Sequence, residues 1–391
     1  MKNAINIADL RELARRRVPR AVFELLDSAS EDGRVLALGL ARLQQYSLVP
    51  RVLRGPDQRD QSATLFGRKW SASFGIAPTG TVGILRRDIE LHLARAAARA
   101  DIPMIISGAS ALCHEDVIAA APGNVWSQLY TANDQKITED LIHRAADAGA
   151  GALVWTVSNS ITPKNDRLIR SGYGIPPTLS LADKLEALLH PAWMVEYLGG
   201  NMAGMAQWQK YSDRHVAENK SASADPMAVH RFYMSQRNAK QTWKDVDMMR
   251  RLWKGPLVIK GLLHAEDALR AAECGADGVI VSNHGGFGLD RAPASIDMLP
   301  GVVAAAGDKI TVMFDSGVRR GSDIVLARCM GAKFVFVGRA TLFGATAHGE
   351  EGALQAINIL KDEFDRSMGQ IGCASQDELG PQFIRGPDAA H

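Results

Sequence analysis

Eight short apolar runs constrain this chain more than any other feature. They are "FGIAP" (74–78), "PMIIS" (103–107), "NVWSQLY" (124–130), "ALVWT" (152–156), "LVIK" (257–260), "GVIVS" (278–282), "TVMFD" (311–315) and "FVFVG" (334–338). Each has strand length. Several are continuously apolar rather than alternating, the pattern of strands buried on both faces of a parallel sheet. Helical patterns such as "IELHLARAAARA", "ITEDLIHRAADAG", "AEDALRAAECG" and "GSDIVLARCMG" separate most of them, and three of these end at glycine, a common helix stop. Strand and helix alternating eight times over roughly 270 residues predicts an α/β fold, a (β/α)8 TIM barrel.

The chain of 391 residues is expected to be a single barrel domain, with 1–60 as an N-terminal helical segment. The spacing breaks once. About a hundred residues separate Thr156 from Leu257, too many for one connection. A long insertion after the fourth strand, about 165–245, is therefore expected as a loop or lid. Within it, "LLHPAWMVEYLGGNMAGMAQWQ" is apolar and aromatic, while "AENKSASADPM" is polar and expected to be mobile. The aromatic part, 193–211, suits a lid or subunit contact first and a membrane-surface patch second.

A formal net charge of +2, with no basic block, argues against a nucleic-acid partner. The four cysteines show no CxxC and no Cys/His cluster, so neither zinc nor a disulfide framework is expected; they read as buried thiols in a reducing compartment. The N-terminus "MKNAINIADLRELARRRVPR" lacks the apolar core of a secretory leader, and no run reaches the roughly 20 apolar residues of a membrane span. A cytoplasmic location is the expectation. The run "RRR" at 15–17 reads as a solvated helix face, and His114, His143, His215, His230 and His264 read as surface residues.

In such barrels the C-terminal strand ends build the active site. Here those ends carry Pro78-Thr79-Gly80, Ser107, Gln128 with Tyr130, Thr156, Lys260, Ser282 with His284, Asp315, and Gly338-Arg339. So many polar ends converging on one mouth are poorly explained by structure alone. "DSGVRRGSD" and "VGRAT", after the seventh and eighth runs, each pair glycine with arginine, and Gly317, Arg319, Gly338 and Arg339 are candidate phosphate holders. Lys260, ending an apolar strand, requires a negative or electron-rich partner. Asp315 is placed to accept hydrogen bonds from sugar or ribityl hydroxyls. No Gly-x-Gly-x-x-Gly opens a βαβ unit, so a Rossmann-bound nicotinamide is not supported.

Together with "LARRRVPRAVFELLDSASEDG", "APTG", "WSQLY", "VIKGLLHAEDA", "VSNHGG", "VGRATLFG" and "MGQIGC", these motifs resemble the FMN-dependent α-hydroxy acid oxidases and dehydrogenases over almost the whole chain. The resemblance implies FMN as cofactor. It places Pro78, Thr79 and Gly80 against the flavin ring, with Ser107, Gln128 and Thr156 hydrogen-bonding it and Lys260 near N1 and O2. Ser282, Asp315, Gly317, Arg319, Gly338 and Arg339 would hold the ribityl chain and phosphate. His284 would be the base that takes the substrate proton, and Tyr130 would bond the substrate oxygen. Gly80 is similar to members that pass electrons to acceptors other than oxygen. A homo-oligomer, often a tetramer in the family, is implied by the resemblance alone.

The sequence departs from the family where the substrate carboxylate is held. "VFELL" stands where the family commonly reads "VYDYY", so Leu25 replaces a tyrosine. In "TVSNSITPKNDR", Ser158 replaces the aspartate that partners the histidine, and Asn165 replaces an arginine. After "SNHGG", Phe287 replaces another arginine. Losing one charged partner of a buried carboxylate costs on the order of 2–5 kcal/mol. A small acid such as glycolate or lactate is therefore not the expected substrate. His284 should be a weaker base unless another carboxylate, Asp166 for instance, reaches it. The favoured reading is oxidation of a different group beside an apolar pocket: a larger alcohol, an ester or amide, or an amine in a peptide-like product. The alternatives are an ordinary α-hydroxy acid dehydrogenase whose clamp is rebuilt from Lys164, Arg167 or Arg291, and a flavin-binding protein without this activity. The electron acceptor is open.

Overall fold

The computed structural model describes residues 4–55, 57–172, 180–200, 204–218 and 227–387. All eight apolar runs form strands: β1 (Phe74–Ile76), β2 (Met104–Ile106), β3 (Val125–Leu129), β4 (Leu153–Thr156), β5 (Leu257–Leu262), β6 (Gly278–Val281), β7 (Thr311–Asp315) and β8 (Phe334–Val337). Each pairs in parallel with the next, and β8 closes onto β1. The fold is a (β/α)8 barrel. The continuous apolar runs follow from burial on both faces. Ile105, Val154, Val258, Ile280, Met313 and Phe336 fill the barrel interior. Their strand neighbours, such as Ile106, Leu153, Ile259, Val281 and Val335, pack outward under the helices.

A hairpin, Ala63–Leu65 with Arg68–Trp70, closes the N-terminal mouth. At its turn, Phe66 stands 5.7 Å, centroid to centroid, from Trp126, near the start of β3. With that end plugged, an open cavity is left to the C-terminal mouth.

The N-terminal segment forms helices Ile7–Arg17, Arg20–Asp27 and Arg34–Gln45. Its arginine run is only partly a solvated face. Arg15 and Arg16 are exposed and pair with Glu12, but Arg17 is tucked against Glu196 of the insertion. The insertion is helical rather than a loop, with Asp166–Arg170, Leu181–Ala187, Pro191–Leu198, Ala206–Glu218 and Ala228–Ser235 before the barrel helix Lys244–Leu252. Its aromatic stretch turns inward. Trp193 Nε1 donates to the Ile84 carbonyl and Trp208 Nε1 to the Gly108 carbonyl, both at 2.7 Å. Residues 219–226, most of the polar stretch expected to be mobile, lie outside the described residues. Cys329 and Cys373 are buried, whereas Cys113 and Cys274 are only partly so.

Candidate active site

The C-terminal mouth holds a cavity of about 350 Å³, within the range of small-molecule sites. His284 projects into it from the turn after β6. His284, Gly285 and Gly286 have φ of 59°, 61° and 91°. Three left-handed residues in succession require glycine after the histidine, and this explains "HGG". The turn is fastened at several points. Ser282 Oγ accepts from the His284 N–H at 3.0 Å, and Ser316 Oγ accepts from the Gly285 N–H at 3.1 Å.

The imidazole lies between two hydroxyls. Its Nδ1 is 2.9 Å from Ser158 Oγ and its Nε2 3.5 Å from Tyr130 Oη. Ser158 reaches it because β5 carries Gly261 (φ 106°) beside it, where an added Cβ would sit 2.4 Å from the Ser158 Cβ. Burial, with the Lys260 ammonium adding to it, pushes the imidazole down to about 3. The ring is neutral and free to accept a proton, but no carboxylate touches it; Asp315, paired with Lys260, favours the imidazolium only through its field. Asp166 does not reach the ring: it pairs with Lys164 and Arg170. Burial also raises the Tyr130 phenol well above its ordinary value, so it remains a hydrogen-bond donor.

The cradle around this base is polar and close. Pro78, Thr79, Gly80 and Ser107 line one wall. At Gly80 an added Cβ would meet Ala109 Cβ and Ser107 Oγ at 3.0 Å, so a side chain there would crowd the wall. Lys260 Nζ is buried in an ion pair with Asp315 Oδ2 at 2.8 Å and donates to Ser282 Oγ at 3.0 Å. That pair is the negative partner the buried lysine required. Lys260, Asp315, Gly317, Arg319, Gly338 and Arg339 all line the cavity.

Gln128, Thr156 and Ser282 do not line it. They are fully buried just behind. Gln128 Oε1 accepts from Ser107 Oγ at 3.3 Å and from the Gly108 N–H at 2.8 Å, while its Nε2 and the Thr156 hydroxyl have no protein partner.

The two arginines differ. Burial lowers Arg319 to about 10 and Arg339 to about 9. The Arg339 guanidinium is committed to the carbonyls of Leu26, Ser28 and Gly285 at 3.0, 2.7 and 2.6 Å. What it offers an anion is the N-terminus of its own helix, Arg339–Ile371, where the first N–H groups lack intrahelical acceptors.

The four divergent positions lie at or beside the cavity. Leu25, Asn165 and Phe287 line the cavity, and Ser158 touches the base. Asn165 is occupied: Nδ2 donates to Ser28 Oγ at 2.7 Å and Oδ1 accepts from the Leu168 N–H at 3.0 Å. Phe287 lies under the Arg339 guanidinium, 5.1 Å from it. None of the proposed clamp replacements lines the cavity. Lys164 pairs with Asp166, Arg167 pairs with Glu24, and Arg291 is exposed.

This geometry has close counterparts. A model of the FMN-dependent dehydrogenases matches residues 14–386. The chain belongs to the FMN-dependent dehydrogenase family. (S)-Mandelate dehydrogenase of Pseudomonas putida is 34% identical over 384 residues, 98% of this chain and 94% of that protein. An L-lactate dehydrogenase of Caulobacter sp. (strain K31) is 35% identical, covering 97% of this chain and 98% of its own. Pre-mycofactocin synthase of Mycobacterium tuberculosis is 34% identical over 97% of this chain and 94% of its own. A solved structure of (S)-mandelate dehydrogenase, described as a monotopic membrane protein, matches with a TM-score of 0.91 at 34% identity over 98% of this chain and 100% of that one.

The cavity fits the family's cofactor. The orphaned Gln128 Nε2 and Thr156 Oγ1 are unsatisfied polar atoms just behind the cavity wall, as a polar heterocycle requires. Arg319 and the helix N-terminus at Arg339 suit a phosphate at the other end.

Other features were missed in the sequence. Arg237, Tyr233 and Met234, from the end of the insertion, line the cavity beside Tyr130. Nothing in their spacing relates them to a strand end. His114 and His230 are buried rather than superficial. His114 sits behind Ser107, with Nδ1 2.8 Å from Ser127 Oγ and Nε2 2.9 Å from the Ser107 carbonyl.

Proposed function

We propose that this FMN-dependent oxidoreductase removes two electrons from a CH–OH or CH–NH centre that carries a bulky apolar group, with His284 as base. The observation that carries the reading is a neutral imidazole at hydrogen-bond reach of Ser158 and Tyr130, facing a cavity wall made by Leu25, Leu168 and Phe287. His284 Nε2 takes the proton of the reacting centre while Nδ1–H is held by Ser158 Oγ. The Tyr130 hydroxyl donates to the same substrate oxygen or nitrogen and orients it. Pro78, Thr79, Gly80 and Ser107 would form the wall for the isoalloxazine ring, and Arg319 with the Gly338–Arg339 backbone would hold the phosphate. Bound FMN supplies the two-electron acceptor.

Glycolate or lactate lacks the apolar group this wall rewards, and finds no tyrosine or arginine at positions 25, 165 and 287. The relation to a pre-mycofactocin synthase, a protein not named for a hydroxy acid, supports a substrate other than the simple hydroxy acids. The relation to mandelate and lactate dehydrogenases supports the second reading, an ordinary α-hydroxy acid dehydrogenase. The intact His284 and Tyr130 count against a flavin protein without activity.

No helix among the described residues is long and apolar enough to cross a membrane. Leu181, Leu188, Leu189, Val195 and Leu198 of the insertion are each more than half exposed, which supports a surface contact there, with a second subunit or a membrane face.

The test is anaerobic. The visible flavin band is followed while 2-hydroxy acids, their esters and amides, larger alcohols and amines are added. Bleaching by bulky donors in preference to glycolate and lactate is expected. Rapid bleaching by lactate would favour the second reading, and an oxidised band that no donor touches would remove the activity.

A further inference from the structure

Among the described residues, three of the four Lys and Arg side chains lining the cavity are tied to acceptors of their own. Lys260 is paired with Asp315. Arg339 is saturated by three carbonyls. Arg319 lies at the phosphate end, with Nη1 donating to the Val318 carbonyl at 2.8 Å. The fourth, Arg237, touches the Tyr233 phenol and no carboxylate. Its backbone is fixed, because residue 237 forms an antiparallel bridge with Ala132 and its carbonyl accepts from Asn133 Nδ2 at 3.1 Å. That register, two residues past Tyr130, lays the guanidinium over the Tyr130 ring, 5.2 Å from its centroid. Arg237 lines the cavity with Tyr130, Tyr233 and His284, and its field disfavours a positive charge on His284. Its Nη2 is buried without a hydrogen-bond partner, and among the described residues Arg237 has no carboxylate partner.

A buried guanidinium nitrogen with nothing to bond is costly unless a ligand completes it. We propose that Arg237, delivered by the insertion, is the anion anchor of the substrate site. It takes over the role vacated at positions 25, 165 and 287, and binds the carboxylate attached to the reacting carbon. The substrate class is then a 2-hydroxy or 2-amino carboxylic acid bearing a large apolar substituent, with one arginine reading the anion and Leu25, Leu168 and Phe287 reading the substituent. The inference rests on the proposed function in one respect only, that this cavity is the substrate site.

It is tested by binding rather than turnover, so its failure is separate from failure of the oxidation itself. The holoenzyme is titrated with phenylacetate and with its uncharged isostere phenylacetamide, read by perturbation of the flavin visible spectrum and by the thermal unfolding midpoint. Phenylacetate is expected to bind about tenfold to a hundredfold more tightly, as a charge-assisted hydrogen bond implies. Arg237→Met should erase that difference while the visible spectrum of bound FMN is retained. Arg237→Lys should keep part of it. If Arg237→Met does not retain FMN, Arg237→Gln, which keeps a polar side chain of similar reach, serves as the charge-free variant. Equal affinity for the two probes in the wild type, no saturable binding of phenylacetate, or a preference that survives in the charge-free variant would overturn the assignment.

Discussion

Restoring a carboxylate beside His284 tests how the imidazole works as a base. Ser158 Oγ lies 2.9 Å from Nδ1, and Ser158→Asp puts a negative charge where the hydroxyl now accepts. Two unit charges about 4 Å apart attract by about 4 kcal/mol at an effective dielectric of about 20, which is about three pKa units. A carboxylate partner in a site open on one side gives about 1 to 3 units in practice. The imidazole, held down at about 3 in the present cavity, should therefore rise. The sign is fixed. A base must be deprotonated to act, so the acid limb of the rate moves to higher pH by the same number of units. On the plateau the rate increases, because a more basic imidazole takes the proton more readily. The assay is anaerobic stopped-flow bleaching of the flavin by the best donor, from about pH 4 to about pH 9. An acid limb and plateau rate both unmoved in a folded, FMN-loaded Ser158→Asp protein would refute the reasoning. Either Ser158 does not partner the base, or His284 is not the base.

Two further outcomes follow from the same geometry. Phe287→Arg places a guanidinium in the wall that now rejects small acids; the KM for lactate should fall by about tenfold or more, and the loss of the Phe287–Arg339 contact should cost about 1 kcal/mol of stability in urea. His114, buried and pushed down to about 4 by that burial, binds a proton less readily folded than unfolded. Its contribution is therefore intact above an unfolded value of about 6.5 and is lost as pH falls toward 4; about 2.5 kcal/mol should be gone near pH 4.5, and His114→Gln should flatten that part of the urea-midpoint profile.

The barrel was legible because its physics is local. A strand buried on both faces must be apolar at every position, so "ALVWT" and "FVFVG" mark β4 and β8 without any knowledge of their partners. The glycines after His284 have an equally local cause, the left-handed backbone at those residues, but it is the structure that reveals it. What the sequence hid is what depends on tertiary placement. Arg237 reaches the cavity only because Trp193 and Trp208 dock the insertion on the barrel and Ala132 bridges residue 237. The side chain of Arg339 looks like a phosphate ligand in "VGRAT", yet it ties the N-terminal segment to the histidine turn through carbonyls that no pattern reveals. His114 reads as a surface residue at a helix start, but its hydrogen-bond partners belong to β3 and to the residue after β2. Lys164, Arg167 and Arg291 are near the cavity in sequence and engaged or exposed in space.

His284→Ala is the most direct measurement of the central claim. The variant is purified, its flavin spectrum is compared with the wild type, and the best bulky donor is added without oxygen. The account predicts an unchanged complement of FMN and bleaching slowed by about a thousandfold or more, in line with removal of a positioned base. Bleaching at the wild-type rate in a protein that still holds FMN would contradict it and take His284 out of the chemistry.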